Sequence, residues 1–279
     1  MNQPNTFSCG GQNAFQKSGA DSAFERELKI RMKDYIEDNR FTLVSQPIFN
    51  FAAKRICGYE ILSRLNHPER GEVSPGVFLP VINELQLHAE FDCHIFYESC
   101  CWMSHLLRSG KSLDWLSCNF SRKTLSKAGI VERLVKIADS CGVPHRCMGI
   151  ELTEYEDADD EKQFYENMRS LKAQGFLILI DDMGSGVTSS KDLMNFPVDI
   201  VKLDRSLLMA ASTEEGAQFF RRLVRLINGM GIKSLCEGVE KYKELQFIQE
   251  AGCFYGQGFL FSPPASTDSV EAALGRNYR

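Results

Sequence analysis

The chain has 279 residues, 43% of them apolar and 25% charged, with a formal net charge of -5. That size and balance can bury a large globular core and lie near the roughly 250 residues of one α/β barrel. The acidic balance argues against a duplex nucleic-acid binder, which carries a basic face, and no stretch reaches the roughly 18 apolar residues of a membrane span.

Residues 1–21 are polar and rich in Gly, Ser, Asn and Gln, and they lack the charged start and apolar run of a signal peptide. They read as a disordered tail ahead of one domain over 22–279. The spacing of Leu28, Met32, Tyr35 and Ile36 predicts a helix over 23–38. A short strand over 41–46, stopped by Pro47, and a second strand over 55–63 follow. Helices are predicted over 75–86, with Ser74 as N-cap and Pro75 in the first turn, and over 89–107.

From there short apolar runs alternate with helical stretches. The runs cover 115–120, 147–152, 176–182, 199–204, 232–238 and 255–261. Strands alternating with helices imply βα units and a parallel sheet. Eight such strands in this length predict a closed barrel, although a doubly wound open sheet fits the same pattern.

The ends of these runs carry the chemistry. Acids close four of them: Glu151 and Glu154, Asp181 and Asp182, Asp204, then Glu237 and Glu240. Lys202 lies inside one run, Asn119 inside another, and Glu60 within the second strand. One acid after a strand is ordinary, since it caps the next helix or faces water. Many of them together are different, because the C-terminal strand ends of a barrel converge on one face. Clustered carboxylates repel in a partly desolvated site unless a cation is present. Carboxylates with a carboxamide oxygen, and no Cys or His, suit hard ions such as Mg²⁺ or Mn²⁺. The loop 181–189, with Gly184 and Gly186, permits tight turns near a ligand, but a plain turn into a helix explains it equally well. The ten cysteines form no CxxC pair and read as reduced, buried thiols of a cytoplasmic protein. The five histidines show no metal-binding spacing and read as structural or solvated.

The motifs SQPI (45–48), YEILSRL (59–65), CNFS (118–121), IELTE (150–154), DDMGSGVTS (181–189), PVDIVKLDRS (197–206), CEGVE (236–240) and GCFYGQGFLFSPP (252–264) occur in one order. In that order and spacing the chain resembles the EAL-domain cyclic di-GMP phosphodiesterases. The resemblance implies a TIM-type (β/α)8 barrel variant whose first strand is antiparallel. It implies hydrolysis of cyclic di-GMP to linear pGpG with Mg²⁺ or Mn²⁺, two ions, in a cytoplasmic homodimer. Glu60, Asn119, Glu151 and Asp181 resemble the ligands of one ion; Asp181, Asp182 and Glu237 resemble those of the second. Lys202 resembles the group that orients the attacking water, Glu237 doubles as general base, and Glu154 matches the glutamate that holds the 181–189 loop. Gln46, Arg64, Asp204, Glu240 and Gln257 resemble the substrate-facing set. The region after Asp199, and the helix before it, is where the resemblance puts the dimer contact.

The chain also departs from the family. Ile61 stands where the signature has Ala, and alternation turns it away from the side of Glu60. Met183, Ser185 and Val187 replace the usual Phe, Thr and Tyr. The altered loop leaves a second reading, a catalytically inactive domain that senses cyclic di-GMP or binds protein partners. The ligand positions are all filled, which favours the enzyme.

Overall fold

The computed structural model describes residues 19–111, 113–152, 158–184 and 190–274. The predicted disordered tail therefore lies almost wholly outside the described residues, as do Glu154, Ser185, Gly186 and Val187. Ten strands form one sheet: β1 Phe41–Asn50, β2 Arg55–His67, β3 Gly71–Val73, β4 Trp115–Phe120, β5 Met148–Leu152, β6 Leu177–Met183, β7 Ile200–Leu203, β8 Lys233–Cys236, β9 Tyr255–Gln257 and β10 Ala265–Ser266. The helices are α1 Gly19–Glu37, α2 Pro75–Glu84, α3 His88–Arg108, α4 Arg122–Leu125, α5 Ile130–Ser140, α6 Glu161–Ala173, α7 Ser190–Asn195, α8 Arg205–Ala210, α9 Glu214–Gly229, α10 Tyr242–Ala251 and α11 Thr267–Leu274.

Eight of the strands close into a barrel in the order β1, β9, β8, β7, β6, β5, β4, β2 and back to β1. β1 is antiparallel to both neighbours, and every other barrel contact is parallel. The expected variant barrel is thus observed. β3 and β10, which the apolar pattern did not reveal, are short additions that pair with the end of β2 and the middle of β1.

The sequence-based expectation that Pro47 stops the first strand is corrected. β1 runs through it to Asn50, and Pro47 pairs in register with Tyr59. On its other edge Pro47 falls between Ser45, paired with β10, and Ile48, paired with β9. The missing N–H is tolerated in that gap.

Strand alternation sorts the barrel into two layers. Ile48, Cys57, Trp115, Leu179, Ile200, Leu235 and Tyr255 form a separate apolar cluster, the floor of the barrel interior. The outward residues Ile61, Cys118, Ile150, Ile180, Val201 and Cys236 join the much larger core beneath the helices. Ile61, the departure from the family signature, therefore belongs to the outer core and not to the polar cluster, and it also borders the cavity beside that cluster. Two irregularities shift the phase. Between Ile48 and Phe49 the partner register skips Cys57, so Cys57 bulges and Glu60 turns inward. Gly58 beside it lets the Trp115 indole fill the floor, since a Cβ there would approach that ring to 2.8 Å. The second irregularity lies in β6 and shapes the site.

Candidate active site

The inward residues above the floor are polar on almost every strand. Glu60 comes from β2, Asn119 from β4, Glu151 from β5, Asp181 from β6, Lys202 from β7 and Gln257 from β9. Glu237 follows β8 directly. Except for Glu151, whose strand has Gly149 at that level, each lies two or more residues beyond a floor residue of the same strand, so they converge at the C-terminal end of the barrel.

Asp181 and Asp182 are consecutive, and a regular strand would send them to opposite faces. The β6–β7 register shifts between Ile180 and Met183, and Asp182 has φ 53. A non-glycine residue in that left-handed region marks a backbone fixed by its surroundings. Asp182 N–H donates to Asp181 Oδ1 at 2.9 Å. The outcome is that both carboxylates face one site. Gly184, at φ 105, closes the turn beneath Leu207, whose side chain would lie 2.4 Å from any Cβ.

Lys202 is the centre of the cluster. It is fully buried, and its ammonium lies 3.1 Å from Glu60, 3.1 Å from Asp181 and 2.9 Å from Glu237, with Glu151 also paired to it. Burial works against its charge, but Asp181, Glu151, Glu237 and Glu60 outweigh that and hold the ammonium protonated. One lysine cannot neutralise these carboxylates and Asp182 as well. Burial pushes the Glu151 carboxyl up to about 8, with Glu60 and Asp181 adding to the rise against the pull of Lys202. Burial likewise pushes Glu237 well above the usual carboxylate range. Glu60 is buried too, yet Lys202, Gln257 and Asn119 together hold it below that range.

Oxygen donors remain. Glu60, Glu151 and Asp181 bring ligand atoms within 4.8 Å of one another, and so do Asp181, Asp182 and Glu237. Asp181 is common to both groups. Asn119 Oδ1 and Glu151 Oε2 are buried with no hydrogen-bond partner among the described residues. Asn119 spends its Nδ2 on Glu60 Oε1 at 3.2 Å, which aims its free oxygen as a ligand. Unsatisfied buried acceptors beside an excess of negative charge fit hard divalent cations.

The residues predicted to face substrate divide. Gln46 and Gln257 join the cluster: Gln257 Nε2 donates to Glu60 Oε2 at 2.6 Å and to Gln46 Oε1 at 3.2 Å. Gln257 is thus placed to orient a ligand carboxylate, a role its sequence position did not suggest. Arg64 lies two alternations beyond Glu60 on β2, 3.5 Å from Glu72. Asp204 accepts Ser206 N–H as the N-cap of α8, and Glu240 pairs with Arg205. These two carboxylates are outside the metal-type groups.

A cavity of about 690 Å³ opens beside the cluster. Asn119, Asp181 and Asp182 line its inner end; Leu62, Pro75 and Leu79, Phe91 and Ile95, and Arg122 form its walls. Sequence reasoning missed these walls, because their helical spacing reads as core. Arg122 is the one wall residue with a local signal, a cation three positions after Asn119 on the same strand exit. Its guanidinium pairs with the buried Asp192 of α7.

Comparison with known proteins gives a consistent result. The EAL domain family matches residues 29–264. The biofilm architecture maintenance protein MbaA of Vibrio cholerae is 29% identical over 265 residues, covering 94% of this chain and 33% of that protein. The chain thus spans about a third of the length of that relative. Among solved structures, the PaMucR phosphodiesterase in complex with c-di-GMP superposes with TM-score 0.79 at 26% identity, covering 88% of this chain and 99% of that one. The EAL enzyme Bd1971, bound to cAMP and cyclic di-GMP, has the same fold, with TM-score 0.82 at 24% identity over 91% of this chain and 69% of that one.

Proposed function

The chain belongs to the EAL domain family, and from that premise we propose that it hydrolyses cyclic di-GMP to linear pGpG with the help of two divalent cations. The observation that carries this reading is the pair of three-carboxylate groups sharing Asp181 at the mouth of the barrel. Mg²⁺ or Mn²⁺ there would supply Lewis acidity toward a phosphate oxygen and a more acidic water. Glu60, Asn119, Glu151 and Asp181 would hold one ion, and Asp181, Asp182 and Glu237 the other.

The chain's own groups do the rest. Lys202 points its ammonium at the centre of the cluster and orients the attacking water. Glu237 takes the proton of that water, a task suited to a carboxyl whose burial raises its proton affinity. Arg64 on the rim offers charge to a phosphate oxygen. The neighbouring cavity has room for a base stacked against its apolar walls. Gln257 fixes Glu60 and is itself held by Gln46, while Asp204 and Glu240 would shape the outer edge. Glu154 would steady the 181–189 segment.

No helix of the described residues is long and apolar enough to cross a membrane. We place the protein in the cytoplasm, where its substrate is found, and assign it no duplex nucleic-acid partner. Met194 on α7, Met209 on α8 and Phe219 on α9 are exposed large apolar side chains. They support a homodimer contact that uses the elements around and after Asp199.

The test is chromatographic detection of pGpG from purified protein and cyclic di-GMP, with Mg²⁺, Mn²⁺ or EDTA. Product is expected with metal, none with EDTA, and roughly 10²–10⁴-fold less from Glu237→Gln. No product with any metal, while cyclic di-GMP still binds in calorimetry, would replace the enzyme with a sensor.

A further inference from the structure

The described cysteines fall into two groups. Cys57, Cys93, Cys100, Cys118, Cys147, Cys236 and Cys253 are buried. Burial makes them inert: it pushes the thiols of Cys57, Cys93, Cys118 and Cys253 up to about 12. Cys101 and Cys141 differ in that both are only half-buried, although burial raises the Cys101 thiol too. They also face each other. Cys101 Sγ on α3 lies 3.8 Å from Cys141 Sγ, at the residue that ends α5, and the two are 40 residues apart in the chain.

The surrounding contacts hold this pair in place. One turn after Cys101, Ser104 Oγ donates to the Cys141 carbonyl at 2.6 Å, so α3 and the end of α5 are already tied beside the sulfurs. One turn before it, the Tyr97 hydroxyl is within hydrogen-bonding reach of the Cys101 thiol, on a side chain 45% exposed. A disulfide needs the sulfurs to close by a further ~2 Å. Two half-buried thiols this close, on adjacent elements already tied by a hydrogen bond, need only a small movement to form one.

We propose that Cys101 and Cys141 are a thiol-modification site, separate from the carboxylate cluster, that takes a low-molecular-weight disulfide and closes to a reversible intramolecular disulfide. The exchange balances with no other reactant. One of the pair, as thiolate, attacks a sulfur of oxidised glutathione, forming a mixed disulfide and expelling one glutathione thiolate. The other thiolate attacks the protein sulfur of that mixed disulfide, forming the Cys101–Cys141 bond and expelling the second glutathione thiolate. The protein loses two protons and two electrons, and one oxidised glutathione becomes two reduced ones. The bond staples α3 to α5 and leaves the buried thiols untouched. Its place in the molecule does not depend on the reaction proposed for the barrel mouth.

The experiment is to incubate the reduced full chain with oxidised glutathione, then measure intact mass, map peptides, and record thermal unfolding. The expected product has lost two hydrogens without a retained adduct, yields a Cys101–Cys141 cross-linked peptide, reverts with dithiothreitol and melts about 5 °C higher. Cys101→Ser and Cys141→Ser, folded by circular dichroism, are expected to show neither the mass loss nor the shift. A stable glutathione adduct, a cross-link through Cys100 or any other thiol, or an unchanged mass would each overturn the proposal.

Discussion

The floor and the mouth of the barrel are built from the same strands, often two residues apart, and yet they are opposites. β6 contributes Leu179 to the floor and Asp181 to the mouth; β7 contributes Ile200 and Lys202; β9 contributes Tyr255 and Gln257. From β8, Leu235 fills the floor, and Glu237 follows at the mouth. The floor is apolar and buried and stabilises the closed sheet by burial. The mouth is also largely buried but crowds carboxylates around a single lysine, an arrangement that costs stability and that bound cations would relieve. One strand thus carries a stabilising position and a functional one, and a substitution's effect depends on which layer it meets.

The sharpest way to break that contrast is at Asp181, common to both carboxylate groups. Asp181→Asn is expected to reduce pGpG formation to background at every metal concentration, with a melting temperature equal to or above that of the metal-free wild type. Retained Mg²⁺-stimulated turnover would remove the shared-ligand role. The floor should respond in the opposite sense. Leu235→Ala, at a fully buried position, is expected to cost roughly 2–5 kcal/mol in urea unfolding, while activity per folded molecule stays near wild type. Metal itself comes next. Mg²⁺ at ~100 times its Kd should raise stability by about 2.7 kcal/mol, reversibly with EDTA, and Asp181→Asn should lose most of that gain. Gln257→Leu removes the hydrogen bond that orients Glu60 and is expected to weaken metal affinity about 10–100-fold, read by Mn²⁺ titration. The smallest effect is expected at Ile61, which faces the outer core. Ile61→Val should cost about 0.5–1.5 kcal/mol and leave kcat and KM alone.

Much of this was legible in the residues. Short apolar runs separated by helical stretches marked the barrel strands, and acids at the run ends marked the mouth. The motif resemblance added the antiparallel β1. What stayed hidden was phase. Asp181 and Asp182 share a site only because the β6 register breaks and Asp182 adopts φ 53, and Glu60 turns inward only because Cys57 bulges. Neither irregularity leaves a periodic trace, since one extra residue looks like any other. Pro47 misled for a related reason: a proline breaks a ladder only where its N–H is needed, and that depends on strands more than two hundred residues away. The cavity walls were hidden because Leu79, Phe91 and Ile95 have the same spacing whether they face a core or a ligand.

The proposed chemistry stands on a pair of divalent cations held at the mouth of the barrel by carboxylates joined through Asp181. Titration of the metal-free chain with Mn²⁺, followed by electron paramagnetic resonance, counts those ions directly. Two bound ions per chain are expected, magnetically coupled in the wild type and lost in Asp181→Asn. No bound ion in the wild type, or two uncoupled ions that survive in Asp181→Asn, would contradict that chemistry.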